Sequence, residues 1–193
     1  MSGDGARVAY PLFQEGDGGS HPTSPLQFQF GVIELDLAID LNKRWHSRLP
    51  RVSKANLIRT KDNICFGAYF DNQWFASAIW TSPIARSFNG MDYLELRRLA
   101  ISQDAPKNTA SRMISIMTKE IKRRLPHIQK LISYQDTEVH TGTIYKASGW
   151  NIGRTSTTKE CRWLSDDTRT KNLRRNALQT NAPKIRWEKD LGS

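Results

Sequence analysis

The chain is poor in cysteine, in acidic residues and in long apolar runs. Its 193 residues include two cysteines, Cys65 and Cys161, each inside strand-like sequence and without the paired spacing of a zinc site or the density of a disulfide scaffold. They read as buried thiols of a reducing compartment. No apolar run approaches the ~20 residues that cross a bilayer, and the N-terminus has no signal-type hydrophobic region. A soluble, intracellular protein is therefore expected. Acids number 19 against 29 Lys and Arg, which gives a net charge of +10 and a pI near 9.9. This excess points to a polyanionic partner, with nucleic acid first and an anionic cofactor or membrane surface behind it. The basic residues are spread along the chain, as suits one positive face on a folded domain.

Composition divides the chain into three parts. Residues 1–25 are rich in Gly, Ser, Pro and acids and are expected to stay disordered. Residues 26–164 carry the periodic apolar pattern of one domain, and residues 165–193 read as a basic C-terminal tail, either an arm that adds phosphate contacts or a disordered end.

The organising stretch is 91–125. Leu94 and Leu96 share one strand parity, whereas Leu99 and Ile101 share the other, so the alternation slips at Arg97 and Arg98 and a β-bulge is expected there. After Pro106 a helix should begin at Asn108 or Thr109, with Ala110, Met113, Ile114, Met117, Ile121 and Leu125 on one face and Pro126 closing it. A strand running into a helix N-terminus presents unpaired N–H groups and a partial positive charge, a natural place for a phosphate. The same geometry is also found in connections that bind nothing.

Around this stretch, LQFQFGVIEL reads as a strand and the following segment as a helix, capped by Asp36 and ending at Pro50 with Trp45, His46, Ser47 and Arg48 in its last turn. Trp45 also suits a core position and His46 a surface one. ICFGAYF and WFASAIW form a hairpin around Asp71, Asn72 and Gln73. A strand through LISY places Tyr134 and Asp136 at its C-terminal end, where open sheets do their chemistry. A short helix follows at TGTIYKASGW, with Tyr145 and Trp150 flanking a stop at Gly149, and the last strand is expected at IGRTSTTKECRWL.

This order of elements resembles the GNAT acyltransferase fold, an α/β (α+β) arrangement with a mostly antiparallel mixed sheet, flanking helices and a bulged central strand. That fold usually carries an R/Q-x-x-G-x-G/A turn before its long helix. Here the turn is QDAPKNTASR, without glycine, which argues against ordinary coenzyme A binding. Five pieces resemble the Mom-type DNA modification proteins of bacteriophages: Trp45-His46-Ser47-Arg48 with Pro50, Glu95 to Leu99, Lys107-Asn108 with Ser111-Arg112, Ser133-Tyr134 with Asp136, and G-x-I-Y-x-A-x-G-W. The resemblance implies a transferase that adds a carbamoylmethyl group to the N6 amine of adenine and so shields phage DNA from host restriction. It implies double-stranded DNA as partner, no membrane, a host cytoplasmic location and Fe(II) as a participant. The oligomeric state stays open, with a homodimer among the options.

An exocyclic adenine amine is a weak nucleophile because its lone pair is delocalised, so such an enzyme wants a base and an anion site, and a metal would assist it. Asp136 is the candidate base or metal ligand and His46 the matching imidazole; together they could begin an Fe(II) site. Ser47 joins them in the catalytic set, and Tyr134 and Tyr145 could stack on an extruded base or serve as core. Arg97, Arg98, Lys107, Asn108, Ser111 and Arg112 form the candidate cofactor-binding set. Two other functions compete: an acetyl-CoA-dependent N-acetyltransferase acting on a protein, small-molecule or hypermodified-base amine, and a non-catalytic basic DNA-binding module.

Overall fold

A computed structural model of the chain describes residues 21–46, 52–88, 90–137, 140–156 and 183–192. Seven strands form one sheet in the order β1-β2-β3-β4-β5-β7-β6. They are β1 (Gln29–Ile33), β2 (Asn63–Phe70), β3 (Gln73–Thr81), β4 (Tyr93–Ile101), β5 (Lys130–Asp136), β6 (Asn151–Ser156) and β7 (Lys184–Asp190). Only the β4/β5 pair is parallel; the other five are antiparallel. The helices are α1 (Leu35–Trp45), α2 (Lys54–Ile58), α3 (Thr109–Arg124) and α4 (Thr143–Ala147). This is the mixed α/β sheet expected from the sequence.

The two faces bury different cores. On one, Met113, Ile114, Met117 and Ile121 of α3 pack with Ala76, Ala78 and Trp80 of β3 and with Leu94 and Leu96 of β4. The Trp80 indole N–H points at the Met117 sulfur, 3.2 Å away. On the other, Ala38 and Leu41 of α1 and Leu57 of α2 cover Ile33, Cys65 and Ile79, and Ser77 Oγ donates to the Ala38 carbonyl at 3.2 Å. Cys65 is buried there, and desolvation pushes its thiol up to about 12.

The bulge lies where the parity slip puts it. Ile79 pairs with Arg98 and Trp80 with Leu96, so Arg97 is the extra residue of β4. Beyond this point β4 leaves β5: their parallel pairing covers only Tyr93 to Leu96 against Lys130 to Ser133.

Several expected boundaries are corrected. Helix α1 ends at Trp45, with His46 already extended at φ −85°, ψ 100°, its N–H still on the Asn42 carbonyl at 2.8 Å. Glu34 takes the N-cap position and Asp36 lies in the first turn, where it pairs with Lys54 at 2.6 Å. Within 1–25, Ser24 and Gln27 form a reciprocal capping box, so the ordered chain begins before Leu26; residues 1–20 lie outside the described residues, as do Ser47, Arg48, Pro50 and Cys161.

The largest correction concerns the basic tail. Its end, Lys184–Asp190, is an interior strand between β5 and β6. Trp187 drives this: it is 2% exposed, stacks on Tyr145 at 5.4 Å and 16°, and donates its indole N–H to Gln135 Oε1 at 2.7 Å. The expected last strand correspondingly covers only Asn151–Ser156 of the described residues. Two glycines make room for this packing. Gly142 has φ +74°, and a Cβ there would lie 2.5 Å from Gln135 Oε1; at Gly153 a Cβ would meet the Glu188 carboxylate. Truncating Trp187 to Ala should cost about 3–5 kcal/mol. A lowered urea midpoint with an unchanged slope would register this, and an unchanged midpoint would contradict a core strand at the C-terminus.

Candidate functional site

The strand faces decide which polar side chains meet. Among the described residues, α1 lies across β2 and β3 and onto β4, with α2 beside it. Over β4, β5 and β7 the same face carries polar residues: Tyr93 and Glu95 from β4; Lys130, Tyr134 and Asp136 from β5; and Lys184, Arg186 and Glu188 from β7, directly across from Asp136, Tyr134 and Ile132. The C-terminal end of α1 brings His46 to this region, close enough for Arg98 and His140 to act on its charge.

Glu95 lies at the floor. It is 8% exposed, and burial holds its carboxyl above the usual carboxylate range despite an ion pair with Arg97 at 3.4 Å. Arg98, half-buried beside it, donates to the Arg97 carbonyl at 2.7 Å, while its Nε is buried without a hydrogen-bond partner. Burial lowers its pKa, with the Arg97 charge adding to the effect, but a guanidinium stays charged at neutral pH. Tyr134 is 41% exposed. Burial and the Glu95 charge raise its pKa against the opposing pull of the Arg186 guanidinium, so it stays protonated. Glu188 gathers the cations at the rim: Arg186 lies 2.6 Å and Lys130 3.2 Å from it.

His46 is held below its ordinary value of 6.5, first by burial and then by the positive charge of Arg98, with His140 acting in the same direction. A neutral imidazole at pH 7 is a proton acceptor. The position of His140 is set from the core: its N–H donates to the Asp136 carbonyl at 3.0 Å, and its own carbonyl accepts from Gln135 Nε2.

The candidate residues thus divide between the two faces. His46, Arg97, Arg98, Tyr134 and Asp136 gather around the β4/β5 split on the α1 side. Tyr145 is on the opposite side, 7% exposed, bonded to Ser133 Oγ at 2.9 Å and under Trp187; it braces the split and offers no open ring to a base. Arg112 also lies across the sheet, with its guanidinium 6.0 Å from the Phe30 ring. Lys107 and Asn108 are exposed at the start of α3, and Ser111 donates to the Asn108 carbonyl at 3.1 Å. The six proposed cofactor residues therefore do not form one cluster. Ser47 lies outside the described residues.

Two residues escaped the sequence reading. Glu95 sits between two leucines and three positions before Arg98, a spacing that in a regular strand puts acid and base on opposite faces. His140 offered no periodic signal, since it stands in a connection.

Neither implied cofactor fits the described residues. Among them no group of three His, Cys, Asp or Glu could hold a metal ion, so His46 and Asp136 do not complete an Fe(II) site there. At the start of α3, Asn108 is left-handed at φ +68° with no side-chain cap, and the turn has side chains where glycine lets backbone approach a pyrophosphate. Ser148 Oγ bridges to the Ser111 carbonyl at 3.0 Å, tying α4 to the first turn of α3. The turn thus lacks the glycines that let backbone approach a pyrophosphate closely.

Residues 27–191 match the Mom protein family. The chain belongs to that family. No curated protein matches it significantly. Among solved structures, the Mom-family chain is similar in fold to the ribosomal-protein-S18-alanine N-acetyltransferase of Escherichia coli (13% identity, 86% of this chain and 95% of that one, TM-score 0.58). It is similar also to the ribosomal-protein-S5-alanine acetyltransferase of Vibrio fischeri (8%, 86% and 94%, 0.59). A third is a GNAT family acetyltransferase of Elizabethkingia anophelis with acetyl-CoA bound (11%, 85% and 98%, 0.56). The chain's fold is thus GNAT-like. No helix among the described residues is long and apolar enough to cross a membrane.

The depressed His46 value has a direct test. Imidazole titration by NMR should give a midpoint below 6.5, and Arg98→Gln should raise it by removing a positive neighbour. Because the unfolded chain takes up this proton first, His46 also makes stability fall as pH drops below about 6.5. A midpoint above 6.5, or no response to Arg98→Gln, would refute the electrostatic description.

Proposed function

We propose that this Mom-family protein is a DNA-modifying transferase that acts on the exocyclic N6 amine of adenine in double-stranded DNA, with a carbamoylmethyl-type product that protects phage DNA from host restriction. The observation that carries this reading is the family match over nearly the whole domain. It is supported by the neutral imidazole, buried carboxyl and accessible tyrosine that share the β4–β5–β7 part of one sheet face, in a chain of net charge +10.

The roles follow from chemistry. A base inside a duplex must leave the stack to be reached, and Tyr134 is the exposed ring on which an extruded adenine can lie. As the N6 lone pair bonds to the methylene carbon of the donor, that carbon's bond to its leaving group breaks and the group departs with the electron pair. The N6 proton passes to neutral His46, and Asp136, at the end of β5, is the remaining carboxylate of the site. Arg98 and Arg97 hold an anionic group of the donor or the DNA. The cations at the rim contact phosphates, which makes affinity fall with salt.

A conventional acetyl-CoA-dependent acetyltransferase is the second reading, favoured by the likeness to a fold seen with acetyl-CoA. It requires saturable coenzyme A binding, which calorimetry detects; the glycine-free turn before α3 speaks against it.

Nucleoside mass spectrometry of DNA from cells expressing the protein tests the proposal. A heavier deoxyadenosine should appear with the wild type and fall at least ~100-fold in His46→Ala, the scale of a lost general base. Asp136→Ala should also reduce it. Only unmodified deoxyadenosine, from folded and well-expressed protein, would refute the DNA-modifying reading.

A further inference from the structure

We propose that Gln135, on the α3 side of the sheet, is a positioning residue for the site on the other side, fastening the turn that leaves β5 at Asp136; this rests on the DNA-adenine reading above. Side chains alternate along β5, so Tyr134 and Asp136 face the site while Gln135, between them, faces the α3 core. It is 4% exposed. An amide buried there costs stability unless it is bonded, whereas an apolar side chain of the same length would fill the space without that cost. What the amide adds is direction.

Its two ends are both used, and their chemistry fixes which way it points. The Trp187 indole can only donate, so it meets the amide oxygen, with Nε1 lying 2.7 Å from Oε1. The amide nitrogen is thereby turned toward the His140 carbonyl, to which it donates. His140 in turn donates its backbone N–H to the Asp136 carbonyl at 3.0 Å. The turn is therefore closed onto two adjacent residues of β5, by one main-chain and one side-chain bond. Gly142 rests on the same pair: a Cβ there would lie 2.5 Å from Gln135 Oε1 and 2.7 Å from the Trp187 ring. A second fastening, from Thr137 Oγ1 to the Pro183 carbonyl at 2.8 Å, ties the turn to the approach to β7. Trp187 is itself stacked on Tyr145, so the core strand at the C-terminus is coupled to the Asp136 turn through one amide.

The test uses the full-length protein. Gln135→Met keeps the length of the side chain and removes both bonds. Amide exchange read residue by residue by NMR should then speed up by about tenfold at His140, the scale of one lost hydrogen bond, with the amides of Leu131, Ile132 and Ser133 at wild-type rates. In cells, modified deoxyadenosine should fall about 10- to 100-fold, the scale of a misplaced site, while duplex affinity stays within about twofold. Gly142→Ala, which drives a Cβ into the same amide from the turn, should give the same pattern and serves if Gln135→Met does not fold. Equal acceleration at His140 and within β5 would mark a general loss of stability and overturn the proposal, as would an unchanged His140 rate. A loosened turn with wild-type levels of modified adenine would also overturn it and leave the DNA-adenine reading standing. A turn that loosens as expected, with no modified adenine even from the wild type, would reject that reading and retain Gln135 as the clamp of the turn.

Discussion

The structure turns on one extra residue in β4. Arg97 has no partner position on β3, and from there the strand's faces exchange. In a regular strand Glu95 and Arg98 would point to opposite sides. With the bulge both reach the α1 face, while Leu96 and Leu99 both turn to the α3 core. The same irregularity coincides with the end of pairing between β4 and β5, which opens the sheet beside these two charged groups. Ser133 holds the base of the opening, with its hydroxyl shared between Tyr145 and the Leu96 carbonyl.

The electrostatics of the site follow from that placement. Glu95 and Arg98 are each shielded from water, so their charges act strongly on their neighbours. Glu95 is a carboxyl held toward its neutral form, and Arg98 helps to keep His46 unprotonated. Such opposed shifts within a small region are more characteristic of a working site than of a solvated face. The two faces divide the labour: α3 and α4 seal theirs with Trp80, Trp150 and Tyr145, while among the described residues no helix covers the β5–β7 half of the other face, which keeps its cations at the rim.

Much of this was legible in the residues, because it depends on local pattern. The slip between Leu96 and Leu99 announced the bulge, Asp71 and Asn72 are the two positive-φ residues of the β2–β3 turn, and the apolar period of α3 and its stop before Pro126 survive intact. What was hidden depends on long-range pairing. KIRWEKD carries two apolar residues among charges and reads as a tail until β5 and β6 flank it and Tyr145 covers Trp187. The end of α1 was obscured because its amphipathic pattern runs on to Trp45 and beyond. The separation of Tyr134 from Tyr145, and of Arg98 from Arg112, required knowing which face each helix covers. Glu95 was hidden for the same reason as the bulge was visible: one residue of register decides its side.

The central claim is that substrate meets the β5–β7 half of the α1 face and not the start of α3. Hydrogen–deuterium exchange with and without duplex DNA addresses it directly. The account predicts protection of residues 82–92, of 134–137 and 140 around the end of β5, and of the Lys184–Asp190 strand, with the first turns of α3 unchanged. Protection confined to 107–112, with the β5–β7 face exchanging as in the free protein, would contradict it.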